Sequence, residues 1–300
     1  MSDFSNVFIV PTYSDIERGG VDLSSYFFDK PMRIPILSSP MDTVTGMDML
    51  QAMYEYGCYG VHHRYCDAQT LVDASAFGAI AVSPSIDIDS IKRVLCNPSG
   101  TVVFDVAHGN TKRNLEYCSE LVKRGFNVVS GSLCTPAAVE SYYNIGVRYM
   151  RVGIGGGSAC TTRIVTGVGI PQPAAILNIR KYFNNDVKII SDGGHATTGD
   201  IAKALVLGAD FVMLGGMLAP TKEALGRGVF SGMASAEALR RRGKTEFFVE
   251  GRTFEVGVKT TVKDVLSEIE DALDTTCYYT GSSNLKELRG KYILEHRLYS

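Results

Sequence analysis

The chain has 300 residues, of which 45% are hydrophobic and 21% charged, and its formal net charge is −2. This composition is typical of a folded globular protein and argues against disorder and against a nucleic-acid-binding surface. The N-terminus lacks a signal-peptide pattern, and no apolar stretch reaches the roughly 18 residues of a membrane span. The seven cysteines include no CxxC pair, so we expect no disulfide framework, no zinc site and a cytoplasmic location.

Short apolar runs alternate along the chain with segments that carry apolar residues at helical spacing. The predicted strands are Ile34–Leu37, Tyr59–His62, Ala79–Val82, Val102–Asp105, Asn127–Ser130, Tyr149–Val152, Lys188–Ser191 and Phe211–Leu214. The predicted helices between them include Thr111–Arg124, Pro136–Ile145, Pro173–Phe183 and Thr198–Leu207. Continuous apolar strands, each followed by a helix, indicate a parallel sheet, and eight such units favour a closed (β/α)8 TIM barrel over an open sheet.

The segment Met217–Thr261 breaks this rhythm after the eighth strand. Its glycines and its basic run at 240–244 favour a lid-like insertion that folds over the barrel rim, and a solvated surface excursion is the alternative. A last helix at Val262–Leu273 and a tail at Lys286–Ser300 follow. Since no linker interrupts the chain, residues 1–300 are predicted to form a single catalytic domain.

Polar, glycine and cysteine residues crowd the carboxyl ends of the predicted strands, where (β/α)8 enzymes place their chemistry. After the sixth strand, four glycines within residues 153–157 allow backbone groups to converge on an ion or a phosphate. Cys160 follows at once. This setting favours a nucleophile over the buried structural thiol that a free cysteine more often is.

Two further strand ends predict a phosphate site. Asp192-Gly193-Gly194 ends the seventh strand and Gly215-Gly216 the eighth. Glycine amides there can approach phosphate oxygens, and the Asp192 carboxylate can accept hydrogen bonds from ribose hydroxyls. Tight turns are the alternative for these glycines, and flavin and sugar-phosphate barrels carry similar sites.

The residue pattern alone does not decide the roles of four other side chains. On local sequence alone, Glu250 in the predicted lid is better explained as a solvated charge. Asp105 at the end of the fourth strand is explained equally well as a structural carboxylate and as a cofactor contact. His62 and His63 are adjacent in a strand. We therefore expect their side chains on opposite faces, with at most one of them in the site.

The sequence from Gly153 to Arg163, continued by Thr166–Gln172, closely resembles the active-site loop shared by IMP dehydrogenases and GMP reductases. The likeness covers nearly the whole chain, and its other motifs are Met41–Val44, Ser191–Gly194, Phe211–Leu218, Gly232-Met233 and Tyr279–Lys286. Motifs of this length in this order are highly specific. By them the chain is identified as a member of the IMP dehydrogenase/GMP reductase family.

Three features resemble the reductase branch of that family. The interval Arg64–Ala79 leaves no room for the regulatory module that most dehydrogenases insert there. Residues 160–163, followed by Thr166–Gly169, have the reductase form, and Glu250 stands where dehydrogenases have a glutamine. The stretch Gly232–Glu250 is also too short for the dehydrogenase flap with its arginine–tyrosine pair.

In the reductase branch, the resemblance implies that NADPH drives reductive deamination of GMP to IMP and ammonia through a covalent adduct at purine C2. It implies that Cys160 is the nucleophile and that Thr162 and Glu250 protonate the departing ammonia. The implied substrate-binding residues are Met41, Ser158, Asp192, Gly194, Gly215, Gly216, Met233 and Gly251. Those implied for the cofactor are Asp105, Ala107 and His63. Backbone carbonyls of Gly153, Gly155 and Cys160 resemble the family's potassium site, and a homotetramer is expected by the same analogy.

Departures from the family pattern keep other readings open. His63 stands where reductases usually have a lysine, Phe247 where they often have an arginine, and Ser132 where an asparagine is expected. The alternatives are an IMP dehydrogenase without its regulatory module and a reductase for a deoxy or modified guanine nucleotide. A flavin-dependent barrel and an inactive nucleotide-binding relative are further options, although retention of Cys160 argues against the last.

Overall fold

In the computed structural model, which describes residues 3–95, 100–245 and 248–294, strands and helices alternate through most of the chain. Its strands are β1 (Val7–Ile9), β2 (Ser25–Phe27), β3 (Lys30–Met32), β4 (Ile36–Ser38), β5 (Tyr59–His62), β6 (Ala79–Val82), β7 (Thr101–Phe104), β8 (Asn127–Leu133), β9 (Tyr149–Val152), β10 (Lys188–Asp192), β11 (Phe211–Leu214), β12 (Val229–Ser231), β13 (Thr253–Glu255) and β14 (Tyr292–Leu294). Its α-helices are α1 (Met47–Tyr56), α2 (Ala68–Ala74), α3 (Ile88–Val94), α4 (Lys112–Lys123), α5 (Pro136–Asn144), α6 (Thr162–Val165), α7 (Gln172–Phe183), α8 (Thr198–Val206), α9 (Ala236–Arg241) and α10 (Val262–Thr280). The eight strands β4–β11 form a closed barrel of parallel neighbours, with β11 pairing back onto β4.

The predicted (β/α)8 barrel is therefore confirmed. The bounds of β5, β6, β9 and β11 are those predicted from the apolar runs. The prediction of Ile34–Leu37 for the first barrel strand starts too early, because the pairing with β11 begins at Ile36. β8 runs on to Leu133 through an irregularity in its pairing with β9, which the apolar pattern does not reveal.

Alternate residues of the barrel strands point inward and fill the barrel with apolar side chains. At the end where the strands start, the hairpin of β2 and β3 supplies a plug. The ring of Phe27 lies 5.1 to 5.3 Å, centroid to centroid, from the rings of Tyr59, Tyr149 and Phe211, which begin β5, β9 and β11. Since this end is sealed by packed rings, the opposite end is the one open to a ligand.

The C-terminal region differs from the prediction in two respects. The helix α10 extends to Thr280 rather than Leu273, and Gly281, with φ of 54°, ends it. Part of the predicted tail is a strand, because β14 pairs antiparallel with β1. Residues 295–300 of that tail lie outside the described part.

The predicted lid segment contains the antiparallel pair β12 and β13 with the short helix α9 between them. Residues of this segment, among them Phe230 and Met233, form part of the wall of the cavity at the open end of the barrel. Within the described ranges, no helix has both the length and the apolar character needed to cross a membrane.

Candidate active site

A cavity of about 220 Å³ lies at the carboxyl ends of the barrel strands. Its wall comes from the loops after β4, β7, β9, β10 and β11 and from the lid segment. The residues predicted for the site that line it are Met41, Asp105, Ala107, Gly153, Gly155, Ser158, Cys160, Thr162, Asp192, Gly194, Gly215, Gly216, Met233 and Glu250. The structure thus brings together side chains that lie up to 209 residues apart in sequence, from Met41 to Glu250.

Cys160, Thr162 and Glu250 form one hydrogen-bonded series. The thiol of Cys160 donates to Thr162 Oγ1 at 3.2 Å, and the hydroxyl of Thr162 donates to Glu250 Oε2 at 2.7 Å. The thiol is positioned by a turn in which the Cys160 amide donates to the carbonyl of Gly157 at 2.9 Å. A proton that leaves the thiol therefore has a two-step path to a carboxylate.

A short backbone ladder holds the cysteine loop against the lid segment. The amide of Thr161 donates to the Glu250 carbonyl, and the amide of Arg252 donates to the Ala159 carbonyl, each at 2.9 Å. Cys160 and Gly251 are thereby antiparallel partners, although Gly251 is not among the described residues that line the cavity. The close approach requires glycine at 232, where a Cβ atom would lie 2.5 Å from the Ala159 carbonyl oxygen.

The glycine-rich loop after β9 touches the loops after β10 and β11. Gly153 has φ of 150°, and a Cβ atom there would lie 2.0 Å from the carbonyl oxygen of Asp192. A Cβ atom on Gly216 would lie 3.1 Å from the hydroxyl oxygen of Ser158. The glycine-rich loop therefore contacts both the loop after β10 and the loop after β11, and all three loops line the cavity.

Arg151 is a buried charge in this wall that the sequence reasoning missed. Its guanidinium lies 2.8 Å from Asp192 Oδ2 and 3.0 Å from Asp105 Oδ1, and it donates to the hydroxyl of Ser132 at 3.1 Å. Arg64 lies 3.4 Å from the other oxygen of Asp105. Burial raises the pKa of Asp192 above its usual value, and the charge of Arg151 only partly offsets that effect. A charged residue within an apolar strand was the signal available in the sequence.

His63 lies beside the site, and it is not among the described residues that line the cavity. The expectation that His62 and His63 lie on opposite faces is wrong, because β5 ends at His62 and the two rings stack at 4.7 Å. His62 Nδ1 bonds the His63 carbonyl, and His63 Nδ1 accepts from the Tyr65 amide. Burial and the neighbouring His62 lower the pKa of His63 to about 4, so its ring is neutral near physiological pH.

His62, His63 and Cys66 place potential metal-ligating atoms within 4.8 Å of one another. Both Nδ1 atoms already bond the backbone of the loop, and the Cys66 thiol bonds the His63 carbonyl at 3.5 Å. Burial raises the pKa of the Cys66 thiol to about 11, which disfavours the thiolate that a metal needs. The group therefore shapes the loop after β5. Phe247, the other departure noted from the family pattern, lies outside the described residues.

Comparison with known proteins identifies the family of the chain. The family model described as the IMP dehydrogenase / GMP reductase domain matches residues 2–298. The chain belongs to this family. Relatives include GMP reductase 1 of Mus musculus, 33% identical over 95% of this chain and 92% of the relative. GMP reductase 2 of Homo sapiens is 32% identical, and the GMP reductase of Yersinia enterocolitica 34% identical, each over 95% of this chain and 91% of the relative.

Family membership gives the Cys160 loop a context. The matched region contains the whole barrel and the lid segment, so the cavity lies within the part of the chain that resembles these relatives. The loop after β5 holds only α2 before β6 begins, as the interval Arg64–Ala79 predicted. No second module lies between the barrel strands in the described ranges.

Proposed function

We propose that the chain catalyses the NADPH-dependent reductive deamination of GMP to IMP and ammonia. The observation that carries the proposal is the hydrogen-bonded series of Cys160, Thr162 and Glu250 in the wall of the cavity. The relatives named GMP reductase, which match nearly the full chain, support it.

The direction of the hydrogen bonds suggests how a proton is used twice. As the sulfur of Cys160 bonds to C2 of the guanine ring, the electron pair of the C2–N3 double bond moves to N3, and the thiol proton passes through the Thr162 hydroxyl to Glu250. The C2–N2 bond then breaks, and Glu250 returns that proton to the departing amino group, which leaves as ammonia. The pair on N3 restores the double bond as N2 leaves. NADPH, when bound, would supply the hydride that C2 requires. Cys160 would then leave C2 as a thiolate as IMP is released, and a proton from solvent would restore the thiol.

The nucleotide is assigned to the converging loops. Backbone amides of Gly194, Gly215 and Gly216 and the hydroxyl of Ser158 would hold the 5′-phosphate, since all four residues line the cavity. Asp192, whose other contact is Arg151, would accept hydrogen bonds from the ribose. Met41, Met233 and Gly251 would contact the base.

The cofactor is assigned to the side of the cavity lined by Asp105 and Ala107, with His63 as a neighbouring position. Arg151 and Arg64 keep the carboxylate of Asp105 fixed there, which fits a group that accepts hydrogen bonds from a cofactor amide or hydroxyl. Gly153, Gly155 and Cys160 line the same wall of the cavity, and we assign a potassium ion to their carbonyl oxygens on the family resemblance.

We further propose that residues 1–300 act as one catalytic domain in a cytoplasmic homotetramer. The six cysteines of the described residues are free thiols, which suits a reducing compartment. Exposed apolar side chains beside the site, such as Ile164, Val168 and Phe248, suit burial against another subunit.

The decisive experiment follows NADPH absorbance with GMP for the wild type, Cys160→Ala and, as a matched control, Cys134→Ala. We expect Cys160→Ala to lower kcat more than about a thousandfold, as loss of a covalent nucleophile does, and Cys134→Ala to stay near wild type. NADH formation from IMP and NAD, without oxidation of NADPH by GMP, would identify a dehydrogenase instead. Turnover of deoxy or modified guanine nucleotides, but not of GMP, would identify a different substrate for the same proposed mechanism.

A further inference from the structure

Arg242 joins three segments that are far apart in sequence. It follows α9 in the lid segment, and its side chain is only 12% exposed. The guanidinium lies 3.1 Å from Asp42 Oδ2 in the loop after β4, and 3.8 Å from the ring centroid of Tyr65 in the loop after β5. It also donates to the backbone carbonyl of Met233 at 2.7 Å. One side chain therefore ties the lid segment to two loops of the barrel rim.

The Met233 carbonyl that Arg242 holds is next to Ala234, which bonds the backbone of Glu250. Next to Met233, the carbonyl of Ala234 accepts from the Glu250 amide at 3.0 Å. Glu250 in turn accepts the hydroxyl of Thr162 at 2.7 Å. A displacement of residues 233–234 would therefore be passed directly to the carboxylate.

The neighbouring arginine gives an internal contrast. Arg241 also lies 3.2 Å from Asp42, but its side chain is 42% exposed, and its described contacts include neither Tyr65 nor Met233. An exposed ion pair of that kind contributes little to structure. The two arginines thus have the same charge, the same partner Asp42 and adjacent positions at the end of α9. They differ because, in the described ranges, only Arg242 contacts Tyr65 and Met233.

We infer that Arg242 is a positioning residue that clamps the lid segment to the rim and so keeps Glu250 within reach of Thr162. The guanidinium satisfies the three partners at once: it pairs with the carboxylate, packs on the aromatic face and donates to the carbonyl. Lysine supplies the charge but not the planar, branched donor set. The inference rests on the proposed function for its kinetic readout only.

The test compares Arg242→Ala, Arg242→Lys and the control Arg241→Ala. We expect Arg242→Ala to lower kcat about 10- to 100-fold, since small misplacements of a catalytic group cost that much, and Arg241→Ala to stay within about twofold of wild type. GMP binding, measured in a Cys160→Ala background, should weaken by a smaller factor than kcat falls, because Met233 is only one of the residues assigned to the base. Added guanidinium ion should restore part of the kcat of Arg242→Ala, and Arg242→Lys should remain impaired. Equal kcat in Arg242→Ala and Arg241→Ala would overturn the inference.

A second measurement separates this inference from the proposed reaction. Hydrogen exchange of a peptide that contains residues 248–253 reports the Glu250 amide without any substrate. We expect faster exchange in Arg242→Ala than in Arg241→Ala, whatever the enzyme's substrate proves to be. Unchanged exchange would show that Arg242 does not hold the segment, even if GMP is turned over. An inactive wild type with the expected exchange difference would instead count against the reaction alone.

Discussion

At the end of the barrel where the strands begin, the buried carboxylate of Asp210 lies among Arg180, Lys188 and Arg289. At the opposite end, Asp192 shares the single guanidinium of Arg151 with Asp105. Burial alone would raise the pKa of both carboxyl groups, but the three cations lower the pKa of Asp210, whereas the pKa of Asp192 stays raised. The sealed end therefore stabilises its charge, and the open end holds a charge that the fold alone satisfies only partly.

This difference separates residues that hold the fold from residues placed for a ligand. Asp210 also accepts the backbone amide of Ile189 at 2.9 Å, so its surroundings are complete. By contrast, the hydrogen-bonded side chains of Cys160, Thr162 and Glu250 lie in the wall of the cavity, where a ligand can reach them. We expect changes at the open end to affect turnover, and changes at the sealed end to affect stability.

The largest effect is expected for Glu250→Gln. The amide cannot take up and return a proton, so kcat should fall about a thousandfold, within the range for loss of a general acid. The free energy of unfolding should change by less than about 0.5 kcal/mol, because the shape of the side chain is kept. Steady-state kinetics and urea denaturation measure the two quantities. Glu255→Gln, an exposed position on the paired strand of the lid segment, is the control.

The next effect is at the sealed end. Asp210→Asn leaves Arg180 and Arg289 without their buried partner and should lower the free energy of unfolding by about 3 kcal/mol with little change in kcat. Because the pKa of Asp210 is below its ordinary 3.8 in the folded chain, this stabilisation is present above that value. It is lost as the pH falls through the folded pKa.

Urea denaturation over a series of pH values checks this prediction. The gap between wild type and Asp210→Asn should narrow in acid. Asp29→Asn, at an exposed turn of the hairpin beside this end, should show no comparable gap. A loss of activity in Asp210→Asn without a loss of stability would break the proposed division between the two ends.

A smaller effect concerns His63, whose pKa is lowered from 6.5 to about 4 by burial and by His62. Below about pH 6.5 His63 binds a proton in the unfolded chain but stays neutral in the folded chain. The free energy of unfolding of the wild type therefore decreases as the pH falls toward 4. At about pH 5 this loss amounts to about 2 kcal/mol, at 1.36 kcal/mol per pKa unit.

His63→Gln should remove that part of the acid sensitivity. The measurement is the free energy of unfolding at about pH 7 and pH 5 in both proteins. The exposed His108→Gln serves as the control. An equal pH dependence in His63→Gln and wild type would mean that the His63 ring is hydrated in solution.

The barrel could be predicted because its signals are local. Each buried strand is a short apolar run, and polar and glycine residues follow it at the carboxyl end, as at Asp192-Gly193-Gly194. The pairing of β14 with β1 escaped prediction because it joins the two ends of the chain. The helix α10 was predicted too short because Asp274, Thr275 and Thr276 interrupt its apolar pattern, although Cys277 beyond them is buried.

The candidate site shows the same limit. Motifs identified Cys160, Thr162 and Glu250, but the sequence separation of 88 residues between Thr162 and Glu250 hides the hydrogen bond that joins them. Arg151 and Arg242 were missed because their partners come from other strands and loops, at separations of about 40 to 200 residues. Apolar periodicity predicts which helix or strand contains a residue. The side-chain contacts between helices, strands and loops become known only from the folded barrel.

The backbone ladder between residues 159–161 and 250–252 gives the open end a mechanical property. Because the peptide groups are paired there, the sulfur and the carboxylate lie on one stiff unit rather than on two independent loops. Thermal motion of the lid segment should then carry Cys160 along with it. The Cys160 sulfur and the Glu250 carboxylate would then keep their spacing as this unit moves.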